Sequence, residues 1–336
     1  MLLVGMPRLR TLLTVLAYGL SMLGSVHAAD DLNAMSHDEK QWVMAPKDYA
    51  NTRYSGLDHI KINNVGRLQL AWSFSTGADR GQEAAPLVVN NTMYVVGPYA
   101  GVYPNRVFAL DATTGDLKWS YAPKPNFSAQ GVACCDVVTR GLGYDNNKVF
   151  LATLDDFLVA IDANDGHELW HTTLGDINVG ETVTMAPLVI KGKVLVDNSD
   201  GELGVRGWVT AVDEDSGKIA WRAYATGPDE DVRIGGDFKP FYKDQQGKDL
   251  GVTSWPPDKW RIGGGTMWGW IQYDPEANPI TAPAIPHRGT RISVLATTCG
   301  RQPNSHAIRT TGWPGGPIST PRTMISITTR STRAFC

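Results

Sequence analysis

One short pattern, Ala-x-Asp-x-x-x-Gly-x-x-x-Trp, recurs at residues 109–119, 160–170 and 211–221. A degenerate copy ends at Trp72, so the four tryptophans fall 47, 51 and 51 residues apart. A unit of that period cannot bury its apolar face alone and is completed by the next copy, which is the mark of a β-propeller blade. Ala-x-Asp closes a strand, and the carboxylate can accept backbone N–H groups of the following turn. The Gly supplies a positive φ where the chain reverses. The next strand delivers a Trp whose ring can pack between blades while its N–H seeks an acceptor. Stretches such as 149–153 and 193–197 alternate as strands do, and no long amphipathic helix follows residue 35. The expected fold class is all-β, a partial β-propeller of about four Trp-motif blades. A β-sandwich of ordinary hairpins is the competing architecture, but it does not call for an identical Trp in every repeat.

The two ends of the chain read differently from its middle. Residues 1–28 have the form of a secretory signal: Arg8 and Arg10, an apolar stretch from about Leu12 to Leu23, then small residues around Val26-His27-Ala28. The stretch is short for a membrane span, and no lipobox cysteine sits near the junction. After signal cleavage the expected protein has no integral membrane span and occupies an oxidising, periplasm-like space. A net charge of −3 without a basic block argues against a nucleic-acid partner.

Residues 281–336 are rich in Thr, Arg, Ser and Pro and carry no repeat and no strand alternation, the composition of a disordered extension. Back-translation gives a sharper reading. Taken from the third base of each codon, residues 304–317 can encode Phe-Ala-Arg-Asp-Pro-Asp-Asp-Gly-Met-Ala-Arg-Trp-Ala, which contains the upstream repeat. The same shift lets 280–298 encode Tyr-Gly-Thr-Gly-Asn-Pro and its continuation, and lets the region from 317 encode a segment with Phe-Asp-Tyr-Asp. One base lost near codon 280 of a longer gene accounts for all three. The expected organisation is a signal peptide over 1–28, a partial propeller over 29–280 and an aberrant, frameshifted tail over 281–336.

Cys134 and Cys135 are adjacent, within Gly131-Val-Ala-Cys-Cys-Asp-Val-Val-Thr-Arg140-Gly. As residues alone they are compatible with a strained vicinal disulfide, two buried thiols or a metal pair. An oxidising compartment favours the disulfide, and no further Cys or His pattern supports zinc. Cys299 and Cys336 lie in the suspect tail. The run Gly263-Gly-Gly-Thr-Met-Trp268-Gly-Trp270 looks like a phosphate loop at its start, but neither a Lys nor a helix start follows.

Ala-Cys-Cys-Asp-Val-Val-x-Arg-Gly, together with the Trp repeats, resembles the periplasmic quinoprotein alcohol dehydrogenases of the methanol/ethanol dehydrogenase family. The resemblance runs from about Met35 to Ile280, roughly the first half of a typical member. It implies an eight-bladed propeller that holds pyrroloquinoline quinone (PQQ) on its axis, sandwiched between a Cys134–Cys135 disulfide and Trp268. It implies that Arg140 clamps a cofactor carboxylate, that Thr184 and Ser199 hydrogen-bond the cofactor, and that Glu83, Asp200 and Gly201 lie against it. Asp200 stands where a small residue is usual. Glu202, in Ser199-Asp-Gly-Glu202-Leu-Gly-Val-Arg206-Gly, matches the Glu that binds the active-site metal, Ca2+ or a lanthanide ion.

The implied chemistry is oxidation of a primary alcohol to the aldehyde. The metal polarises a quinone carbonyl, an Asp base takes the hydroxyl proton, and electrons pass to a periplasmic cytochrome c. The family's Asn metal ligand and Asp base are missing from the printed frame, which leaves the catalytic residue of this chain unknown. Both occur in the shifted frame, and the second Asp of Phe-Asp-Tyr-Asp is of the kind seen in lanthanide-using members. The printed chain is therefore expected to be an inactive half-ring. Two other readings compete. A non-catalytic Trp-repeat scaffold of outer-membrane assembly would carry a lipidated Cys and neither the Cys pair nor Gly-Glu-Leu-Gly-Val-Arg-Gly. A membrane-bound glucose dehydrogenase would place several spans before the propeller.

Sequencing the DNA through codon 280 tests the frame reading: the shifted frame is expected to stay open well past codon 336, and stop codons scattered through it would refute the idea.

Overall fold

Each repeat folds as a four-stranded antiparallel sheet with its strands in chain order. The first blade is β1 (Leu87–Val89), β2 (Thr92–Tyr99), β3 (Val102–Asp111) and β4 (Leu117–Tyr121). The second is β5 (Gly143–Asp145), β6 (Lys148–Ala152), β7 (Phe157–Asp162) and β8 (Glu168–Thr173), and the third is β9 (Leu188–Ile190), β10 (Lys193–Asp197), β11 (Trp208–Asp213) and β12 (Ile219–Tyr224). The structure, a computed structural model, describes residues 28–78, 81–99, 102–124, 126–133, 136–232, 249–267, 269–276, 279–284, 292–297 and 325–328. The first hairpin of each blade turns on two residues with positive φ: Asn90 and Asn91, Asn146 and Asn147, Lys191 and Gly192. That is the backbone twist a two-residue hairpin needs.

The repeated motif does its work across blades. Asp111, Asp162 and Asp213 each turn a carboxylate oxygen onto the following turn, accepting from Thr113 and Thr114, from Asn164, and from Ser216. Gly115, Gly166 and Gly217 take φ of 77°, 80° and 69°. Trp72 then lies on the first of these turns, Trp119 on the second and Trp170 on the third. Their Nε1–H groups donate to the carbonyls of Ala112 (3.2 Å), Ala163 (3.0 Å) and Glu214 (3.1 Å). A Cβ placed on Gly115, Gly166 or Gly217 would come within 2.6, 2.5 or 2.8 Å of the docked indole. The glycine thus serves both a left-handed turn and a close approach. The motif's alanines, Ala109, Ala160 and Ala211, are fully buried and face Trp119, Trp170 and Trp221 across the outer strand pair. These separate, sequentially ordered sheets joined by docked indoles make a propeller and not a sandwich.

An N-terminal strap crosses the inner strands. Trp42 forms a β-bridge with Val88, Tyr49 donates its hydroxyl to the carbonyl of Val189 (2.9 Å), and the amide of Tyr273 donates to the carbonyl of Tyr49 (2.9 Å). The strap follows a short helix, α1 (Ala28–Ser36). Between strap and Trp72 the chain leaves Tyr54, Leu57, Ile60, Ile62, Leu68 and Leu70 exposed. Residues 1–27, the bulk of the signal segment, lie outside the described residues. Among the described residues no helix is long and apolar enough to cross a membrane.

The sequence offers no strand beyond residue 280, and here the structure differs. A fourth sheet contains β13 (Gln272–Tyr273), β14 (Pro279–Ala284), β15 (Ile292–Thr297) and β16 (Ile325–Thr328), with β15 and β16 parallel. The β-branched residues Ile292, Val294, Ile325 and Ile327 suit a pleated sheet, in windows too short to stand out among Thr, Arg and Pro. The remainder of 281–336 lies outside the described residues.

Removing the docked ring in Trp119→Ala is expected to cost about 3–5 kcal/mol, as for other buried aromatics. Gly166→Ala, which deletes no contact, is expected to destabilise by about 1–3 kcal/mol through positive-φ strain, with the clash against Trp119 adding to it. Denaturant unfolding measures both, and wild-type stability for Gly166→Ala would show that the turn tolerates a side chain.

Candidate functional site

The topology gathers the family-matched residues at one end of the blades. In a blade whose four strands run in order, the chain enters the first strand, turns from the second to the third, and leaves the fourth at the same end. Glu83 precedes β1, Arg140 lies between α2 (Ala129–Val132) and β5, Thr184 lies between β8 and β9, and Ser199 to Glu202 follow β10. The Trp-docking turns occupy the opposite end. Loops from successive blades therefore meet, although their residues are far apart in sequence.

Arg140, Thr184, Ser199 and Glu83 form one connected group. The Arg140 amide donates to the Thr184 carbonyl (3.0 Å), and its Nη1 donates to Thr184 Oγ1 (2.7 Å) and to the same carbonyl (3.3 Å). Thr184 Oγ1 and Ser199 Oγ share a hydrogen bond of 2.7 Å. Nη2 of Arg140 lies 3.7 Å from Glu83 Oε2, with the Arg side chain 14% and the Glu side chain 54% exposed. Burial lowers the Arg140 pKa from its ordinary value, and Glu83 and Asp197 act to raise it. The guanidinium remains charged at neutral pH. A largely buried guanidinium flanked by two hydroxyls is a donor set suited to a carboxylate.

The loop after β10 is held by its own contacts. Asp200 adopts φ 67°, and Thr182 Oγ1 donates to its Oδ2. The Ser199 amide donates to the Thr182 carbonyl (2.8 Å). The amide of Gly201 donates to Thr266 Oγ1 (3.3 Å), and Gly264 donates back to the Gly201 carbonyl (3.3 Å). A Cβ on Gly201 would meet Thr266 Oγ1 at 2.7 Å. Gly263, Gly264 and Gly265 take φ of 100°, 94° and 77°, and a Cβ on Gly263 would sit 2.8 Å from the Gly201 carbonyl oxygen. The glycine run thus serves close backbone packing against the loop that carries Glu202. Glu202 itself lies on a one-turn 3-10 segment, Gly201–Leu203, and is exposed. Arg206 has a structural role: it donates to Thr226 and Asp231 and stacks on Tyr224.

Cys134, Cys135 and Trp268, the expected two faces of the cofactor slot, lie outside the described residues. Asp197, Thr182 and Thr266 were not singled out by sequence reasoning. Thr266 sits in the Gly-Gly-Gly-Thr run, so its signal was proximity to a motif. Asp197 ends its strand after three buried apolar residues, Val194 to Val196. It is fully buried, and neither carboxylate oxygen has a hydrogen-bond partner among the described residues. Burial pushes its pKa well above the usual carboxylate range, against the pull of Arg140.

The donor set fits an anionic cofactor with carboxylates on its rim, and Glu202 offers one hard oxygen ligand to a metal. The comparisons agree with the fold and with a PQQ cofactor. Residues 42–285 match the family described as the glucose/ethanol/alcohol dehydrogenase β-propeller domain that uses PQQ. The chain is 47% identical to a lanthanide-dependent methanol dehydrogenase of Methylacidiphilum fumariolicum (strain SolV), over 87% of this chain and 49% of that one. It is 45% identical to subunit 1 of the methanol dehydrogenase [cytochrome c] of Paracoccus denitrificans, over 80% of this chain and 43% of the relative. A solved europium-containing methanol dehydrogenase superposes with a TM-score of 0.71 at 49% identity, covering 76% of this chain and 44% of that one. The chain belongs to the PQQ-dependent alcohol dehydrogenase family. It spans about half the length of the curated relatives it matches.

A pH prediction follows from Asp197. Its folded pKa lies above the unfolded value, so the folded state holds an extra proton between the two, and stability falls as pH rises through that window. Asp197→Asn is therefore expected to raise the melting temperature at neutral pH and to leave it unchanged below the ordinary carboxylate pKa. A lower melting temperature for the variant at neutral pH would show that the carboxylate is held ionised.

Proposed function

We propose that the intact protein is a periplasmic enzyme that oxidises a primary alcohol of the methanol/ethanol type to its aldehyde, with PQQ as cofactor and a cytochrome c as electron acceptor. The observation that carries this reading is the connected group of Arg140, Thr184, Ser199 and Glu83 at one end of the blades. Bound there, PQQ supplies a two-electron acceptor for hydride.

The chain's own residues bind and orient. Arg140 holds a cofactor carboxylate by charge-assisted hydrogen bonds, and Thr184 fixes the guanidinium through two acceptors. Ser199 fixes Thr184 in turn, so the grip is assembled before the cofactor arrives. Glu83 keeps the Arg140 charge paired at the more exposed side of the group. Cys134, Cys135 and Trp268 supply the flat apolar contact that excludes water from the two faces of the ring system. Glu202 is one ligand of a Ca2+ or lanthanide ion, and the lanthanide is the better match to the relatives named above. The proton-accepting Asp and the second metal ligand belong to the part of the gene read here in another frame. The exposed apolar residues from Tyr54 to Leu70 are then covered by blades encoded beyond codon 280.

An assay with added PQQ, metal and an artificial electron acceptor tests this. The printed chain is expected to show no alcohol-dependent dye reduction. The frame-restored protein is expected to show it with methanol or ethanol, and to lose it by about a hundredfold or more in Arg140→Ala if that group grips the cofactor. A frame-restored protein that reduces no dye with any primary alcohol would overturn the proposal, as would turnover by the printed chain.

A further inference from the structure

A second pair of carboxylates lies at the same end of the blades, on side chains other than Glu202. Asp156, in the turn between β6 and β7, is fully buried, and neither of its carboxylate oxygens has a hydrogen-bond partner among the described residues. Glu181, in the connection from β8 to β9, faces it across Gly175. A Cβ on Gly175 would lie 2.6 Å from Glu181 Oε2, 2.9 Å from Asp156 Cγ and 3.1 Å from Asp156 Oδ1. Gly175 is not among the glycines in the left-handed region, so its missing side chain provides room and not backbone freedom. The space beside its Cα is walled by two carboxylates.

The two acids are in opposite situations. Glu181 accepts two hydrogen bonds, from Trp208 Nε1 at its Oε1 (3.0 Å) and from the Asp176 amide at its Oε2 (2.8 Å). Asp156 has no such donors. Its pKa is pushed up to about 8, first by burial, then by Glu181 and Asp155, with Asp200 adding and Arg222 opposing. Arg222, which opposes that shift, also donates from Nε to Thr210 Oγ1 and from Nη2 to the Leu174 carbonyl, and its plane lies over Trp208. Asp155 is engaged by the Asn126 amide, and Asp200 by Thr182. Negative charge is thus in surplus around one unpartnered carboxylate. An open cleft of about 380 Å³ reaches Gly175 and is lined also by Asp155, Asp176 and Lys124.

We propose that Asp156 and Glu181, across Gly175, bind a hard cation of the Ca2+ class. Oxygen-only ligands with two carboxylates select such an ion over softer metals. The proposal does not rest on the alcohol-oxidising function. It uses the two free oxygens of Asp156 and the remaining lone pairs of Glu181.

Terbium luminescence on the full chain tests it, because the Trp208 indole that bonds Glu181 can sensitise an ion held there. Saturable Tb3+ luminescence excited through tryptophan is expected in the wild type and in Glu202→Gln, with Ca2+ competing. Asp156→Asn and Gly175→Ala are each expected to weaken Tb3+ binding by about tenfold or more, the first by losing a ligand charge and the second by filling the space. Unchanged binding in both, or loss of all luminescence in Glu202→Gln, would overturn the proposal. A second measurement needs no Asp156 variant to fold. In Glu202→Gln, Ca2+ is expected to raise the melting temperature, and more so at about pH 8 than at about pH 6, since the ion must displace a proton from Asp156. No shift at either pH would also overturn it.

Discussion

The contact on which this architecture depends is an indole resting on a glycine turn of the next blade. It is made three times with the same atoms: Trp72 on Gly115, Trp119 on Gly166 and Trp170 on Gly217. In each, the ring N–H is satisfied by a carbonyl of the turn, so a large apolar surface is buried without stranding a donor. The turn can accept the ring only because its glycine has no side chain. Neighbouring sheets are thereby set at a fixed distance and register, and the loops at the far end are set with them.

That spacing makes the site possible. Arg140, Thr184 and Ser199 come from the connections β4–β5, β8–β9 and β10–β11, and their hydrogen bonds form because the blades beneath them are locked. The Gly263–Gly265 run adds a second close approach, pressing its backbone onto the loop of Gly201. The same end of the molecule tolerates what the interior elsewhere avoids. Asp197 and Asp156 are both fully buried with oxygens unpartnered among the described residues. Local choices that oppose stability, placed on a rigid scaffold, are what a site for charged groups requires.

Much of this is readable from the residues in order, but unevenly. The blade is legible because its motif is local: turn Asp, left-handed Gly and strand Trp lie within one hairpin, and the repeat announces them. Arg140, Thr184, Ser199 and Glu83 are legible as members of a family template, not from chemistry at any one of them. Asp197, Asp156 and Glu181 are not legible, since an acidic residue near a turn is ordinarily solvated and nothing in its neighbours reports that a sheet will cover it. The strap through Trp42 and Tyr49 escapes notice for a related reason. Its partners, Val88, Val189 and Tyr273, are scattered along the chain and share no pattern with it. The strands of the fourth sheet beyond residue 280 are missed because each is a short β-branched window inside polar sequence.

The order of residues is enough to specify the blade, its period and the stacking of one blade on the next, because steric permission at Gly and the size of Trp are properties of single residues repeated at a fixed interval. Tertiary structure alone decided which polar groups lose water and which of them face each other. Burial and juxtaposition are set by sheets packing side by side, and that packing joins residues tens of positions apart whose identities place no constraint on one another along the chain.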